Sequence, residues 1–384
     1  MDPWSVFQHF NPGKIVCGPD SIKMLPELLP IKDKALLVTD AGVKAAGIVA
    51  KVEEALQKAS IAYAIYDRVQ PDAPIPLIQE AAALYQQEGC RPLIAVGGGS
   101  PMDAAKAVGV AVSQPGALLE YASGRALDGP IPFLAAIPTT AGTGSEVTFA
   151  AVIADTAGTR KRIIRNPALA PKLALLDPLL LAGLPPDIAA ETGADALSHA
   201  LEGLATRGAQ PISDALVLHA IQLIFKYLRP MVGDPSNLEA ASNMLVASAL
   251  ASLGWTNAGL GLVHSLAHPL GAHFHVSHGK ACALYLPYVM QFNVLAAAPK
   301  YRLAAMAMGE DVSGLNDFEA AETAAGAVGQ LLDDVGLAQT YEELGIEFSI
   351  RPGVVEEILS VPTRLANPRV STQEQIEELL NAPC

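Results

Sequence analysis

Two kinds of periodicity divide this chain, and the change falls at Gly183-Leu-Pro-Pro-Asp187. Before it, short apolar runs alternate with segments of helix length. Residues 35–39, 61–66, 92–96, 133–137 and 173–176 read as strands. An Ala-rich helix follows the first of these to about Lys58, and a second helix covers 75–87. Another helix is expected to begin at Pro101, since proline is tolerated in a first turn. Residues 147–154 and 162–164 read as a hairpin around Asp155-Thr-Ala-Gly158. Alternation of this kind predicts a mostly parallel sheet with helices on its faces. Beyond the change, helix periodicity continues with almost no strand signal. The expected organisation is therefore an α/β domain over 1–184 and an all-α domain over 185–384.

Composition narrows the function classes. The 384 residues are 51% hydrophobic and 17% charged, enough to fill two cores. A net charge of −14 gains nothing from a phosphate backbone, so nucleic acid is not an expected partner. Cys17, Cys90, Cys282 and Cys384 are scattered, without Cys-x-x-Cys, so neither a disulfide framework nor a thiolate zinc site is expected. The opening Met-Asp-Pro-Trp-Ser has no basic start followed by an apolar run, which predicts a cytoplasmic protein without a secretory leader. Residues 244–263 carry no charge over the length of a membrane span. Their glycines and hydroxyl residues fit a helix buried in a domain core, and no membrane partner is expected.

Two loops at strand ends carry the signal for a phosphate-bearing ligand. Gly97-Gly98-Gly99-Ser100 joins a strand to a helix. Glycines let a backbone approach a pyrophosphate closely, and the helix N-terminus offers unpaired N–H groups. A tight turn accounts for the triplet equally well, and Gly-x-Gly-x-x-Gly is absent. The second loop holds Thr139, Thr140, Thr143, Ser145 and Thr148, hydroxyl donors that would grip the same ligand from another side. Together the loops point to a dinucleotide. Asp40 ends the first long strand, where a carboxylate binds ribose hydroxyls and repels a 2′-phosphate, favouring NAD over NADP. The same aspartate would serve as a helix N-cap.

The helical half carries the metal signal. Asp195 and His199 are four residues apart, on one helix face. Five histidines follow between His264 and His278. One carboxylate and several imidazoles on fixed supports suit a divalent transition metal. With the glycine loops before the boundary and the metal candidates after it, a catalytic cleft between the domains is expected.

These residues together resemble the iron-containing (group III) alcohol dehydrogenase family. The matching stretches are Gly97-Gly-Gly-Ser-Pro-Met-Asp-Ala-Ala-Lys106, Ile137-Pro-Thr-Thr-Ala-Gly-Thr-Gly-Ser-Glu146, Asp195-Ala-Leu-Ser-His199-Ala, Gly259-Leu-Gly-Leu-Val-His264-Ser-Leu-Ala-His268-Pro-Leu-Gly271, His278-Gly279 and Asn367-Pro-Arg369. The resemblance covers essentially the whole chain, in family order. It implies an N-terminal dinucleotide-binding domain and a C-terminal helical domain carrying the metal. It implies Asp195, His199, His264 and His278 as ligands, and His268 as a histidine near the substrate. Asp40, Gly97, Gly98, Gly99, Ser100, Asp103, Thr139, Thr140, Thr143, Ser145 and Lys161 match cofactor-contacting positions. Fe(II) is the implied metal, with zinc a plausible occupant, and a homodimer or larger homo-oligomer is the implied assembly. His273 and His275 match no ligand position and are read as pocket-lining or packing residues.

The chain departs from the family pattern in places. Ser277 replaces a proline, Cys282 stands where Asn is frequent, and Gly203 where alanine is common. Trp255 replaces a smaller aromatic, which bears on substrate size, and Asp72 falls where Asn is common.

The expected activity is hydride transfer between NAD(H) and a small primary alcohol or its aldehyde, with the metal polarising the substrate oxygen. His268, one turn from His264, is the candidate proton relay, and packing on the helix is the competing account of it. Two rival readings share the architecture. One is a zinc-dependent glycerol or diol dehydrogenase. The other is a lyase of the dehydroquinate synthase type, in which NAD is used only transiently.

Overall fold

Residues 35–40, Ala-Leu-Leu-Val-Thr-Asp, are buried up to the last, as a strand covered on both faces requires. The computed structural model to which this strand belongs describes residues 6–155, 160–337, 340–361 and 363–383. The N-terminal five residues read for a leader, the hairpin tip at 156–159 and Cys384 lie outside the described residues. The chain divides into two units, Phe10–Ala182 and Gly183–Cys384, the second also taking in the described residues up to His9.

The first unit runs β1 (Lys14–Cys17), α1 (Leu25–Leu28), β2 (Ala35–Asp40), α2 (Ala41–Ala45), α3 (Ile48–Lys58), β3 (Tyr63–Val69), α4 (Ile75–Gln87), β4 (Leu93–Gly97), α5 (Gly99–Ser113), α6 (Leu118–Ala122), β5 (Leu134–Pro138), β6 (Ala150–Asp155), β7 (Arg160–Arg165) and β8 (Leu173–Leu176). Six strands form a parallel sheet in the order β1-β8-β5-β4-β2-β3. The chain leaves β2 toward β3 on one side and leaves β4 toward β5 on the other. The C-terminal ends of β2 and β4, Asp40 and Gly97, therefore flank the point where connections part. Open α/β sheets bind ligands at such a switch point.

The strand and helix limits differ from expectation in instructive ways. Strand β1 gave no sequence signal: it has four residues, mostly exposed, on the sheet edge beside β8. Strand β3 begins at Tyr63 rather than Ile61, because Ser60 takes a left-handed turn at φ 57° that delays it. Helix α5 begins at Gly99, not Pro101. Pro101 is its third residue, where the missing N–H still has no intrahelical partner to lose. In the antiparallel β6–β7 hairpin the first strand starts at Ala150, since Ser145–Val147 form a short 3-10 turn.

The second unit contains α7 (Pro186–Ala205), α8 (Pro211–Gly233), α9 (Leu238–Ala258), α10 (Leu262–Phe274), α11 (His278–Met308), α12 (Asp317–Asp334), α13 (Val354–Ser360), α14 (Thr363–Ala366) and α15 (Gln373–Asn381). The expected single helix over 244–263 is instead two: α9 stops at Ala258 and α10 starts at Leu262, bent by 106°. Gly259 makes the break possible at φ 99°, and a side chain at Gly261 would press on Asn367 Oδ1 at 2.8 Å and Glu202 Oε1 at 3.0 Å. Helices α8 and α11 are long and apolar enough to cross a membrane by length and composition. Helix α11 is mostly buried within its unit. Helix α8 turns Pro211, Ala215, His219, Gln222 and Lys226 outward at helical spacing, the pattern of a helix packed on a core.

Glycines set how closely α7 is approached. A Cβ on Gly193 would lie 2.2 Å from Leu228 of α8, and one on Gly279 would lie 2.2 Å from the Glu191 carbonyl oxygen. The second contact brings the start of α11 against α7 one turn before Asp195. Ser277, just ahead of α11, has φ −58°, a value that proline also takes, so the replacement leaves the backbone path unchanged.

Candidate functional site

Three helices bring one carboxylate and three imidazoles together. Asp195 and His199 face the same way from α7, His264 comes from the first turn of α10, and His278 is the first residue of α11. Asp195 Oδ1 lies 3.7 Å from His199 Nε2, 3.7 Å from His264 Nε2 and 3.6 Å from His278 Nε2. Asp195 and His264 are buried, yet Asp195 Oδ1 and His264 Nε2 have no hydrogen-bond partner among the described residues. Buried polar atoms left this way are costly unless something else satisfies them. Nitrogen and oxygen donors converging without bonding one another fit a divalent cation.

Electrostatics follows the geometry. Burial pushes the Asp195 carboxyl up, but the His199, His264 and His278 rings more than offset this and hold it below the usual carboxylate range. Burial also opposes charge on His264, and Glu202 with Asp195 overcomes it, raising that ring to about 9. The pocket thus holds a positive charge readily, whether as a proton or as a metal.

Glu202 was missed in the sequence. Its Oε2 lies 2.6 Å from His264 Nδ1, and its Oε1 accepts the Val263 N–H at 2.7 Å. The carboxylate therefore fixes the His264 ring and also caps the N-terminus of α10. The neighbouring Leu262 N–H donates to Asn367 Oδ1 at 3.3 Å. The signal was present: Asp195, His199 and Glu202 follow at helix spacing on one face of α7.

Trp255 stacks on His199 at 5.3 Å between ring centroids, and His199 stacks on His264 at 4.8 Å. Gly203 permits this, since a Cβ there would lie 3.3 Å from the backbone of Trp255. The two departures from the family pattern are thus linked. The His268 ring lies 5.4 Å from that of His278 and 6.4 Å from that of His264. His273 turns instead to Glu357, at 3.5 Å, and His275 is the exposed left-handed residue that ends α10.

The loops of the first unit gather at the sheet's switch point. Asp40 caps α2, its Oδ1 accepting the Val43 N–H at 2.8 Å. A Cβ on Gly97 would meet Pro101 at 2.6 Å, one on Gly98 would meet Thr140 Oγ1 at 3.4 Å, and one on Gly99 would meet Thr143 Cγ2 at 3.0 Å. The two loops therefore lie against each other, leaving backbone rather than side chains at the N-terminus of α5. The Thr139 N–H donates to the Gly97 carbonyl at 3.1 Å. Ser100 Oγ accepts the Asp72 N–H at 3.1 Å, and Asp72 pairs with Lys161 at 2.7 Å.

Asp103 and Ser145 sit deeper. Ser145 Oγ donates to Asp103 Oδ1 at 2.6 Å, and the Val152 N–H donates to Oδ2 at 2.9 Å. The fully buried Lys106 donates to Ser145 Oγ, Thr148 Oγ1 and the Ala150 carbonyl at 2.7–3.1 Å. Burial lowers its ammonium pKa, against the opposing pull of Asp103 and Glu146. This network ties α5 to the hairpin beneath the loop.

Residues 12–178 match the iron-containing alcohol dehydrogenase family, and residues 189–384 match the C-terminal part of the Fe-containing alcohol dehydrogenase family. The chain is 37% identical to a 1,3-propanediol dehydrogenase of Klebsiella pneumoniae, covering 97% of each. It is 40% identical to the lactaldehyde reductase of Escherichia coli K12, covering 90% of this chain and 91% of that one. The crystal structure of a 1,3-propanediol oxidoreductase, 36% identical, superposes with a TM-score of 0.96, covering 99% of this chain and 100% of that one.

Proposed function

The chain belongs to the iron-containing alcohol dehydrogenase family, and from that premise we propose that it passes a hydride between NAD(H) and a small primary alcohol or its aldehyde. In this reading Asp195, His199, His264 and His278 hold an iron(II) ion, with zinc as the alternative occupant. The observation that carries it is Asp195 Oδ1, buried, without a hydrogen bond among the described residues, and within 3.7 Å of three imidazole nitrogens. When bound, the metal supplies positive charge that polarises the substrate oxygen, and the dinucleotide supplies or accepts the hydride.

The chain's own residues do the rest. Glu202 holds His264 in one tautomer and orientation, which keeps Nε2 turned toward Asp195 Oδ1, where it would hold the ion. His268 takes or gives the proton of the substrate oxygen at a ring nitrogen. Gly97, Gly98 and Gly99 admit the pyrophosphate to the N-terminus of α5, with Thr140 and Thr143 beside it. Asp40 receives the ribose hydroxyls and repels a 2′-phosphate, which selects NAD. Ser100, Thr139 and Lys161 complete the cofactor loops, and Asp103 and Ser145 support them from below. The bulk of Trp255 beside His199 favours short substrates. The similar propanediol dehydrogenase and lactaldehyde reductase are named for small oxygenated substrates, which supports the same class here. A cytoplasmic homo-oligomer completes the reading.

Anaerobic reconstitution with Fe(II) or Zn(II), followed by NADH oxidation against a panel of short aldehydes, tests it. Metal-dependent turnover is expected, fastest with iron. NADH binding without turnover on any aldehyde would point to an unusual substrate or to the lyase reading.

A further inference from the structure

Cys282 lies one turn after His278 on α11, so both project from the same helix face. Its Sγ is 3.6 Å from His278 Nε2. It is fully buried. Together with one ligand atom each from Asp195, His264 and His278, the sulfur forms a set of four donors all within 4.8 Å of one another. Metal–sulfur and metal–nitrogen bonds of about 2.3 and about 2.0 Å at a tetrahedral angle place the two donors about 3.5 Å apart. The observed sulfur–nitrogen separation, 3.6 Å, is close to that value. The second observation is independent of the cysteine. Asp195 Oδ1 and His264 Nε2, in residues 3% and 2% exposed, have no hydrogen-bond partner among the described residues and belong to the same donor set.

We propose that Cys282 is a thiolate ligand of this metal centre and that it biases the centre toward a softer ion, zinc over iron(II). The inference rests on the metal-site reading above and deepens it. Thiolate is the softest donor a protein offers, and zinc accepts sulfur, nitrogen and oxygen together. On binding, the S–H bond breaks, the sulfur keeps the electron pair and donates it to the ion, and the proton leaves to solvent. No oxidation state changes.

The test uses the full-length protein loaded anaerobically with Co(II), which reports its ligands by colour. The wild type is expected to show an intense sulfur-to-cobalt charge-transfer band in the near ultraviolet. Cys282→Ser and Cys282→Asn should lose that band and keep the weaker visible bands of bound cobalt. Offered equal Fe(II) and Zn(II), Cys282→Asn should retain zinc over iron about tenfold less strongly than the wild type, read from metal content. A wild type with visible bands but no charge-transfer band overturns the proposal and leaves the four-residue site standing. A band that survives in Cys282→Ser overturns it as well. Failure to take up any cobalt overturns both this proposal and the site beneath it.

Discussion

Glu202 grips His264 through one carboxylate oxygen, 2.6 Å from Nδ1, and holds the Val263 N–H through the other, at 2.7 Å. The residue that orients the His264 ring thus also fixes the start of the helix that carries it. Replacing Glu202 by Gln keeps the shape but removes the charge that favours the required tautomer. The Glu202→Gln variant is expected to bind metal about 10–100-fold more weakly, measured by competition with a chelator. Unchanged affinity would leave Glu202 with only its capping role.

Asp195 Oδ1 is the atom all three imidazoles face, so Asp195→Ala should abolish metal retention and turnover together. The glycine loops belong to the other unit, so NADH binding, followed by quenching of protein fluorescence, is expected to stay within about twofold of wild type. Equal loss of NADH binding would contradict the assignment of metal and cofactor to separate units.

Asp40 stands at the end of β2 beside Gly97, and a Cβ on Gly97 would lie 3.5 Å from Asp40 Oδ2. Asp40→Gly should raise the NADPH-to-NADH ratio of kcat/KM on the order of tenfold, because the repulsion toward a 2′-phosphate is gone. The lost cap on α2 should lower stability by only a few tenths of a kcal/mol, since glycine is tolerated at that position. An unaltered cofactor ratio would reduce Asp40 to a structural cap.

Much of this was legible before the structure. The sheet strands are continuous apolar runs because both faces are covered, and such runs stand out in a sequence. The candidate metal cluster was legible because Asp195 and His199 share a helix face and the remaining histidines crowd into one segment. What escaped has physical reasons. The break between α9 and α10 lies in an uncharged stretch where only Gly259 and Gly261 interrupt the pattern, and isolated glycines do not by themselves end a helix. The edge strand β1 is too short and too exposed to leave a period. Glu202 was hidden because a glutamate on a helix is ordinarily a solvated residue, and its burial depends on the bend that brings α10 onto it. Cys282 was read as a scattered cysteine outside any thiolate site and as a departure from the family pattern, since its proximity to Asp195 and His264 depends on α11 packing against α7.

Glu146, in the loop above the Lys106 network, should make stability depend on pH. Burial pushes its carboxyl up from 4.5 to about 7, with Lys106 pulling the other way. Between those values the folded protein keeps a proton that the unfolded chain has released. The stabilising contribution is therefore complete below the unfolded value and is lost as pH rises to about 7. Glu146→Gln should abolish this slope and raise the unfolding free energy by about 3 kcal/mol at most above neutral pH. Denaturant titration of the metal-free protein at about pH 5 and about pH 8 would show it. A variant that loses stability with pH as steeply as the wild type would contradict it.

The most direct test of the central claim follows the hydride itself. The Fe(II)-loaded protein would be given a short aldehyde and NADH deuterated at the transferable position of the nicotinamide, and the alcohol analysed by mass spectrometry. Deuterium on the carbinol carbon, formed by the wild type and not by Asp195→Ala, is the result predicted. NADH that binds and is not consumed, or an alcohol without deuterium, would contradict metal-assisted hydride transfer by this chain.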